Sequence, residues 1–301
     1  MSINGVLLIH KEKAFTSFDV VAVVRKCLMQ KKAGHTGTLD PNATGILPVL
    51  LGSATKAQDI IPCQDKRYLA DFKLGIATDT LDIWGEVIEE KPAKCTAEDI
   101  EKALDAFRGE IEQLPPMYSA VSIGGKRLYQ YAREGKEVTR TPRAVTVYTL
   151  DLICFDEKTQ SGRLEIACSK GTYVRSLIDD IARSLGTVGV MTDLVREEAC
   201  GYSLNDAITL DQLKAITENG EIDESAPYWR SVESLFAEYP ALTVSDKQAN
   251  RFKNGNPLDV ARTEAKNSAE AQKIYRVKDR EGNFLSLGIV QDDMIKLYKH
   301  F

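Results

Sequence analysis

Residues 66–75, KRYLADFKLG, alternate. Tyr68, Ala70, Phe72 and Leu74 fall on one side, and Leu69, Asp71 and Lys73 on the other. A period of two is a β-strand with one covered face, so this chain must build a sheet and something to cover it. Two segments have the helical pattern that such a cover needs. In TAEDIEKALDAFRG, Thr96 and Asp99 form a capping box, and Ile100, Ala103, Leu104 and Phe107 share a face. In GTYVRSLIDDIARSLG, Val174, Ile178, Ile181 and Leu185 line one side, and Gly186 is placed to end the helix. GRLEIACS repeats the strand alternation. TSFDVVAVVRKCLMQKK (16–32) predicts a third helix, capped by Thr16 and Asp19, with Val20, Val23, Val24 and Cys27 inward. Interspersed strands and helices predict an α+β body.

The tail has a different rhythm. From about residue 236 the short runs ALTV, KIYRV, FLSLGIV and IKLY are separated by turn signals such as KNGNP and REGN. A chain of 301 residues exceeds a typical single domain. The acidic stretch ENGEIDES (218–225) reads as a boundary, so the expectation is a large unit over about 1–230 and a small β-rich module over 236–301. Residues 113–143 combine paired prolines, paired glycines, three tyrosines, and six Lys/Arg against two Glu. That composition predicts a long exposed insertion, and its interleaved aromatic and basic residues suit stacking on bases and pairing with phosphates.

Several function classes are disfavoured. No stretch approaches the roughly 18 apolar residues of a membrane helix, and MSINGVLLIHKEK lacks the layout of a signal peptide. The six cysteines are scattered without a C-x-x-C pair, which argues against a zinc site or disulfide framework and for reduced thiols in the cytoplasm. His10, His35 and His300 are too far apart in sequence to form a metal motif. The net charge is −5, yet residues 1–60, 121–175 and 247–301 are each basic, and the acid is concentrated in 76–112 and 192–246. Such a distribution permits a positive face on an acidic body, without requiring one.

The remaining segment is GHTGTLDPNATGILPVLLGSATK (34–56), with four glycines, four threonines and a single acid, Asp40. Gly and Thr at this density favour a loop. A carboxylate there can close a turn, bind a cation, or act as nucleophile or base. One acid is too few for a metal, and neither G-x-G-x-x-G nor a terminal G-K-[ST] is present. A covalent or base role requires a nearby cation to keep the carboxylate ionised and aimed. CSKGTYVRS offers Arg175, with Gly171 permitting close approach. Taken singly, Asp40 could be a turn former, Arg175 a surface helix residue, Tyr68 a half-buried strand tyrosine and His35 a loop histidine. The residues by themselves lead to an α+β enzyme with Asp40 as the candidate acid.

The same segment resembles the signature loop of the tRNA pseudouridine synthase B (TruB) family, bacterial type. KRYLADFKLGIATDTLDIWGEV is similar to that family's strand with an active-site tyrosine, QLPPMYSAVSIGGKRLYQYAREG to its tRNA-gripping segment, CSKGTYVRSLIDDIARSLG to its arginine motif, and VMTDLVRE to its leucine motif. The tail resembles a PUA-like RNA-binding module. The resemblance implies a pseudouridine-synthase fold with a mixed, mainly antiparallel sheet flanked by helices and loops. It further implies isomerisation of the T-loop uridine (position 55) of tRNA to pseudouridine. Asp40 matches the catalytic aspartate, Arg175 the arginine paired with it, and Tyr68 the ring stacked on a flipped uracil. Leu194 matches an apolar wall, and His35 the side chain filling the vacated stack. Gly37 and Thr38 are small residues admitting the nucleotide, while Tyr173, Lys126 and Arg127 lie on matched RNA-contacting segments. An isomerisation neither adds nor removes atoms or electrons, so no metal or cofactor is expected. The expected partner is the T-stem-loop of tRNA, and the expected state a monomer.

The chain departs from the family pattern at Lys11-Glu12-Lys13-Ala14-Phe15-Thr16-Ser17, which lacks a usual proline and glycine, and at Ser122, where lysine is common. It departs again at Val195 and Arg196, a reduced arginine pair followed by Glu197 and Glu198, and at Ala182, where glycine is usual. The changes at Ser122 and Val195 are expected to remove positive charge from the RNA face. Two alternatives remain: a non-catalytic tRNA-binding or folding protein, and an RNA-guided pseudouridine synthase subunit.

Overall fold

The computed structural model describes residues 3–220, 222–267 and 270–301. In chain order the first part runs β1 (Gly5–Lys11), α1 (Ser17–Cys27), β2 (Ala33–His35), β3 (Thr44–Leu51), β4 (Lys66–Leu74), β5 (Ile76–Thr78), β6 (Val87–Glu90), α2 (Ala97–Leu104) and β7 (Gly109–Gln113). It continues with β8 (Ser122–Ile123), β9 (Lys126–Arg127), α3 (Leu128–Arg133), β10 (Arg143–Asp156), β11 (Ser161–Cys168), α4 (Val174–Ser184), β12 (Gly189–Ala199), β13 (Tyr202–Ser203), α5 (Leu210–Asn219) and β14 (Trp229–Arg230). The described residues form a ten-stranded sheet in the order β14-β1-β3-β12-β4-β11-β10-β7, with β2 added to β3 and β13 to β12. Every pairing in it is antiparallel except β3–β12, which meet in parallel at Val195–Thr44 and Arg196–Gly45. The expected α+β body with a mixed, mainly antiparallel sheet is thus present.

The alternation in 66–75 becomes β4 at the sheet's centre, with Tyr68, Ala70, Phe72 and Leu74 buried. Its cover is the amphipathic α4, through Val174, Leu177, Ile178 and Ile181, together with Ile100 and Leu104 of α2. The capping boxes at Thr16/Asp19 and Thr96/Asp99 both form, each satisfying backbone donors that a helix start leaves open. The β1–β3 end of the sheet is covered on both faces. Leu7, Ile9, Leu47 and Val49 pack on Val20, Val21 and Val24 of α1 and on Leu210 and Leu213 of α5. Val6, Leu8, Ile46 and Leu50 pack on Val232, Leu235 and Phe236.

That two-sided burial corrects the expectation of a loop throughout 34–56. GILPVLL is a central strand, with Ile46–Leu51 buried, and the loop shrinks to Thr36–Ala43. Proline normally marks an edge strand, which is why Pro48 disguised this one. The helix at 16–32 stops at Cys27; Met29 takes φ +47°, and the chain re-enters the sheet as β2. The inward face also shifts, to Ser17, Val20, Val21 and Val24. The insertion at 113–143 is not plain loop either, since it contains the β8–β9 hairpin and α3.

The tail forms a separate five-stranded sheet. It comprises β15 (Ala241–Thr243), α6 (Asp246–Lys253), β16 (Leu258–Asp259), β17 (Ile274–Lys278), β18 (Phe284–Gln291) and β19 (Met294–Lys299), with strand order β15-β17-β18-β19-β16. It has its own core around Leu242, Phe252, Tyr275, Val277 and Ile295. Phe301 packs at a tilt against Phe236 and Phe284, and Glu233 holds Arg276 at 2.8 Å and Lys278 at 3.1 Å, so the module is seated on the larger body.

One backbone position governs the junction behind the loop. Gly45 adopts φ +114°, and a Cβ there would lie 2.2 Å from the Arg196 carbonyl oxygen and 2.5 Å from its nitrogen. Neither the conformation nor the contact admits a side chain. Gly45→Ala is expected to cost on the order of 2–4 kcal/mol in urea unfolding, whereas alanine at Gly109, also left-handed but with nothing within 4 Å, should cost less.

Candidate active site

The loop Thr36–Ala43 leaves β2 and returns as β3, and its backbone groups have only limited access to the sheet. Buried side chains from three other elements bind them instead. Ser17 Oγ, at the start of α1, accepts from Leu39 N at 2.8 Å and donates to Leu39 O at 3.1 Å. Lys11 Nζ, at the end of β1, donates to the carbonyl oxygens of Ala43 (2.6 Å), Pro41 (3.0 Å) and Glu12 (3.0 Å). Arg196 of β12 donates from Nε to Ile46 O at 2.8 Å and from Nη2 to Gly37 O at 3.2 Å. Lys11 and Arg196 are both 0% exposed. Asp40 sits on the loop between these anchors.

Arg175 meets it from the first turn of α4. Its Nε lies 2.9 Å from Asp40 Oδ2 and its Nη2 3.2 Å from Oδ1, a two-point fork that sets the carboxylate plane as well as its place. The remaining donors are used by backbone: Nη1 donates to Thr80 O at 2.7 Å and Nη2 to Tyr118 O at 2.9 Å. Asp82 Oδ2 lies 3.8 Å from Nη1, and burial raises the Asp82 carboxyl above its usual pKa. The Arg175 side chain is 6% exposed and that of Asp40 37%, so the acid opens to solvent while its partner does not. Gln113 orients the start of α4: its Oε1 accepts from Tyr173 N at 2.7 Å and its Nε2 donates to Tyr173 O at 3.0 Å.

Beside the acid is an apolar wall. Tyr68, Leu194, Leu39 and Ala43 belong to one buried cluster, and across the β4–β12 ladder Leu194 pairs with Ala70 and Arg196 with Tyr68. Burial pushes the Tyr68 phenol up to about 12, partly opposed by the Arg196 guanidinium, so it stays protonated at neutral pH. His35 is half-buried at the loop's entrance. Its Nδ1 accepts from Gly37 N at 3.2 Å, and burial followed by Arg196 lowers its pKa, both favouring a neutral ring with the proton on Nε2.

The structure therefore brings Asp40 and Arg175 into contact, groups Tyr68 with Leu194, and places Gly37 and Thr38 on the loop with His35 at the end of β2 that enters it. Tyr173 joins them as the residue preceding α4. Lys126 and Arg127 are engaged within the insertion: Lys126 pairs with Glu134 and lies 4.7 Å from the Tyr131 ring centroid, and Arg127 Nη1 donates to Ala120 O at 3.1 Å. Arg196 points into the protein and so adds no positive charge to the surface, and the exposed Glu198 lies 3.5 Å from Arg67. Sequence reading missed Lys11, Ser17 and Arg196 as loop anchors, and Thr80 and Tyr118 as Arg175 partners. The first three contacts span 22 to 159 residues of sequence, and the last two are made by backbone oxygens, which any residue provides.

The chain is similar to known proteins along most of its length. A family model described as TruB family pseudouridylate synthase (N terminal domain) matches residues 25–174. The chain is 44% identical over 264 residues to tRNA pseudouridine synthase B of Bacillus pumilus, covering 86% of this chain and 84% of that protein. It is 39% identical over 298 residues to tRNA pseudouridine synthase B of Escherichia coli K12, covering 97% and 92%. Among solved structures, a chain from a Cbf5-Nop10-Gar1 complex superposes with a TM-score of 0.74 at 23% identity, over 98% of this chain and 84% of that one.

Burial pushes the Lys11 ammonium down to about 8, with Arg196 adding to the push and Asp40 opposing it. Between about pH 8 and the unfolded value of 10.5 the unfolded chain binds the additional proton, so the contribution of Lys11 to stability rises with pH across that window. Lys11→Met strands the Pro41 and Ala43 carbonyls. It is expected to lose about 2–4 kcal/mol at pH 7, and the gap to wild type in urea melts should widen from pH 8 to pH 10.

Proposed function

The chain belongs to the TruB family of pseudouridylate synthases, and from that membership we propose that it converts the T-loop uridine at position 55 of tRNA to pseudouridine, with Asp40 as the acting carboxylate. The observation that carries this reading is the two-point contact between Arg175 and Asp40 beside the Tyr68–Leu194 wall, on the segments that resemble the family's motifs. A carboxylate held in one plane, open on one side and backed by a buried cation, can approach the sugar or base of a nucleotide presented to that open side.

A uridine stacked in the T-loop cannot present its glycosidic bond to Asp40, so the nucleotide must be turned out of the loop. That costs on the order of a few kcal/mol of stacking. Tyr68 and Leu194 offer the base an apolar slot, and a neutral His35 can occupy the vacated place without burying a charge. Gly37 and Thr38 leave room for the backbone to pass. The basic side chains and half-buried tyrosines of the 113–143 insertion suit a grip on the T-stem, and the Tyr118 carbonyl connects the insertion's base to the site through Arg175. We assign residues 1–230 to catalysis and 236–301 to a PUA-like RNA-binding module, and we expect the monomer to act without a guide RNA.

Asp40→Asn keeps a hydrogen-bond acceptor for Arg175 but removes the charge. Purified Asp40→Asn is expected to form no pseudouridine in an unmodified T-stem-loop RNA, while its RNA affinity stays within about threefold of wild type by filter binding. Near-wild-type turnover by that variant would exclude Asp40 as the acting group. The double substitution Lys126→Ala/Arg127→Ala should weaken RNA binding and reduce the salt slope by about one to two phosphate contacts. An unchanged slope would remove both residues from the RNA face.

A further inference from the structure

Resting on the function proposed above, we propose that Arg196, reinforced by Lys66, provides the positive field that stabilises the anionic uracil ring released when the glycosidic bond breaks.

Arg196 is 0% exposed, and among the described residues no carboxylate forms an ion pair with it. Its Nε and Nη2 are satisfied by the carbonyls of Ile46 and Gly37, but Nη1 is buried without a hydrogen-bond partner. A buried guanidinium with neither counter-charge nor a full set of acceptors is costly, and such groups persist where they act on something else. Its position is informative. It is the cross-strand neighbour of Tyr68, two residues from Leu194, and a Cβ at Gly37 would lie 3.7 Å from Nη1 and 3.4 Å from the Lys66 Cε. The cation therefore lies beneath the slot assigned to the base.

Lys66 approaches the same spot with its Nζ on the Gln64 carbonyl at 2.6 Å and, among the described residues, no acid within ion-pair distance. Burial and then the Arg196 charge lower its pKa, so the two cations sense each other. Holding both near an apolar slot favours any anion that forms there.

The reaction forms one. By whichever route Asp40 acts, the C1′–N1 bond breaks with its electron pair remaining on the ring, and the charge spreads over N1, O2 and O4. The C1′–C5 bond then forms from ring electrons, C5 loses its proton and N1 gains one. Atoms and electrons balance within the substrate, and the demand on the protein is for positive potential at the ring while it is detached. Arg175 is committed to Asp40, whereas Arg196 and Lys66 are not.

The test compares single-turnover rates at saturating T-stem-loop RNA, with uridine or 5-fluorouridine at the target position, by consumption of the N-linked nucleoside. Fluorine withdraws electrons and stabilises the ring anion, so that substrate depends less on the protein's field. Arg196→Gln is expected to slow uridine by about 100-fold and 5-fluorouridine by only about tenfold, with RNA affinity within about threefold of wild type. Arg196→Lys, which keeps the charge, should recover most of the loss. Lys66→Gln should shift the substrate ratio in the same direction by a smaller factor, and it provides the reading if Arg196→Gln does not fold. Equal losses on the two substrates would overturn the inference and leave Arg196 as a loop anchor alone. So would an Arg196→Lys protein as slow as Arg196→Gln. A wild-type protein that forms no pseudouridine would defeat the underlying function instead, whatever the variants do.

Discussion

The arrangement depends on how the protein binds a loop that the sheet cannot satisfy. Beyond Thr36, whose N donates to the Pro48 carbonyl of β3 at 3.2 Å, the chain runs close to the sheet as far as Ala43, and buried carbonyls there would each cost about 1–3 kcal/mol if left unpaired. Ser17, Lys11 and Arg196 supply the donors from three separate elements, two of them as fully buried cations. The acid is thus fixed by its neighbours' backbone bonds, and its own side chain remains free for Arg175.

This mode of anchoring shapes the electrostatics. A chain with a net charge of −5 gathers Lys11, Arg175 and Arg196 at the Asp40 loop, with Lys66 beside Arg196 and Asp82 3.8 Å from Arg175. Of the cations, Arg175 forms the ion pair with Asp40, while the others bond to carbonyl oxygens. Neutral acceptors orient a cation without cancelling its charge, so the potential around the loop stays positive. At His35 burial lowers the pKa and Arg196 adds to it, whereas at Lys11 burial leads and Asp40 opposes it by more than Arg196 adds.

Legibility in the sequence followed the range of the interaction. β4 and β11 were readable because their alternation survives unmixed, and α2 and α4 because a capping box or a terminal glycine lies within four residues of the helix it ends. β3 was not, since Pro48 imitates a loop signal and burial on both faces erases the alternation. The end of α1 was missed because Leu28–Lys32 continue a plausible helical composition. What stops the helix is Met29 in the left-handed region and the pairing of Ala33–His35 with β3. At the site, Asp40 and Arg175 could be named as chemistry-bearing types, but their 135-residue separation means that only the fold brings them to 2.9 Å.

By itself the sequence determined the α+β composition, the strands with a single buried face, the helix starts, the β-rich tail and the identity of the candidate acid. These follow from local periodicity and from side-chain chemistry that a residue carries wherever it lies. Only the tertiary structure decided that the apolar run after Asp40 is a central strand, that Arg196 turns inward, and that Lys11 and Ser17 hold the loop. Those outcomes depend on which faces are covered and which carbonyls lack partners, and both are properties of the assembled sheet.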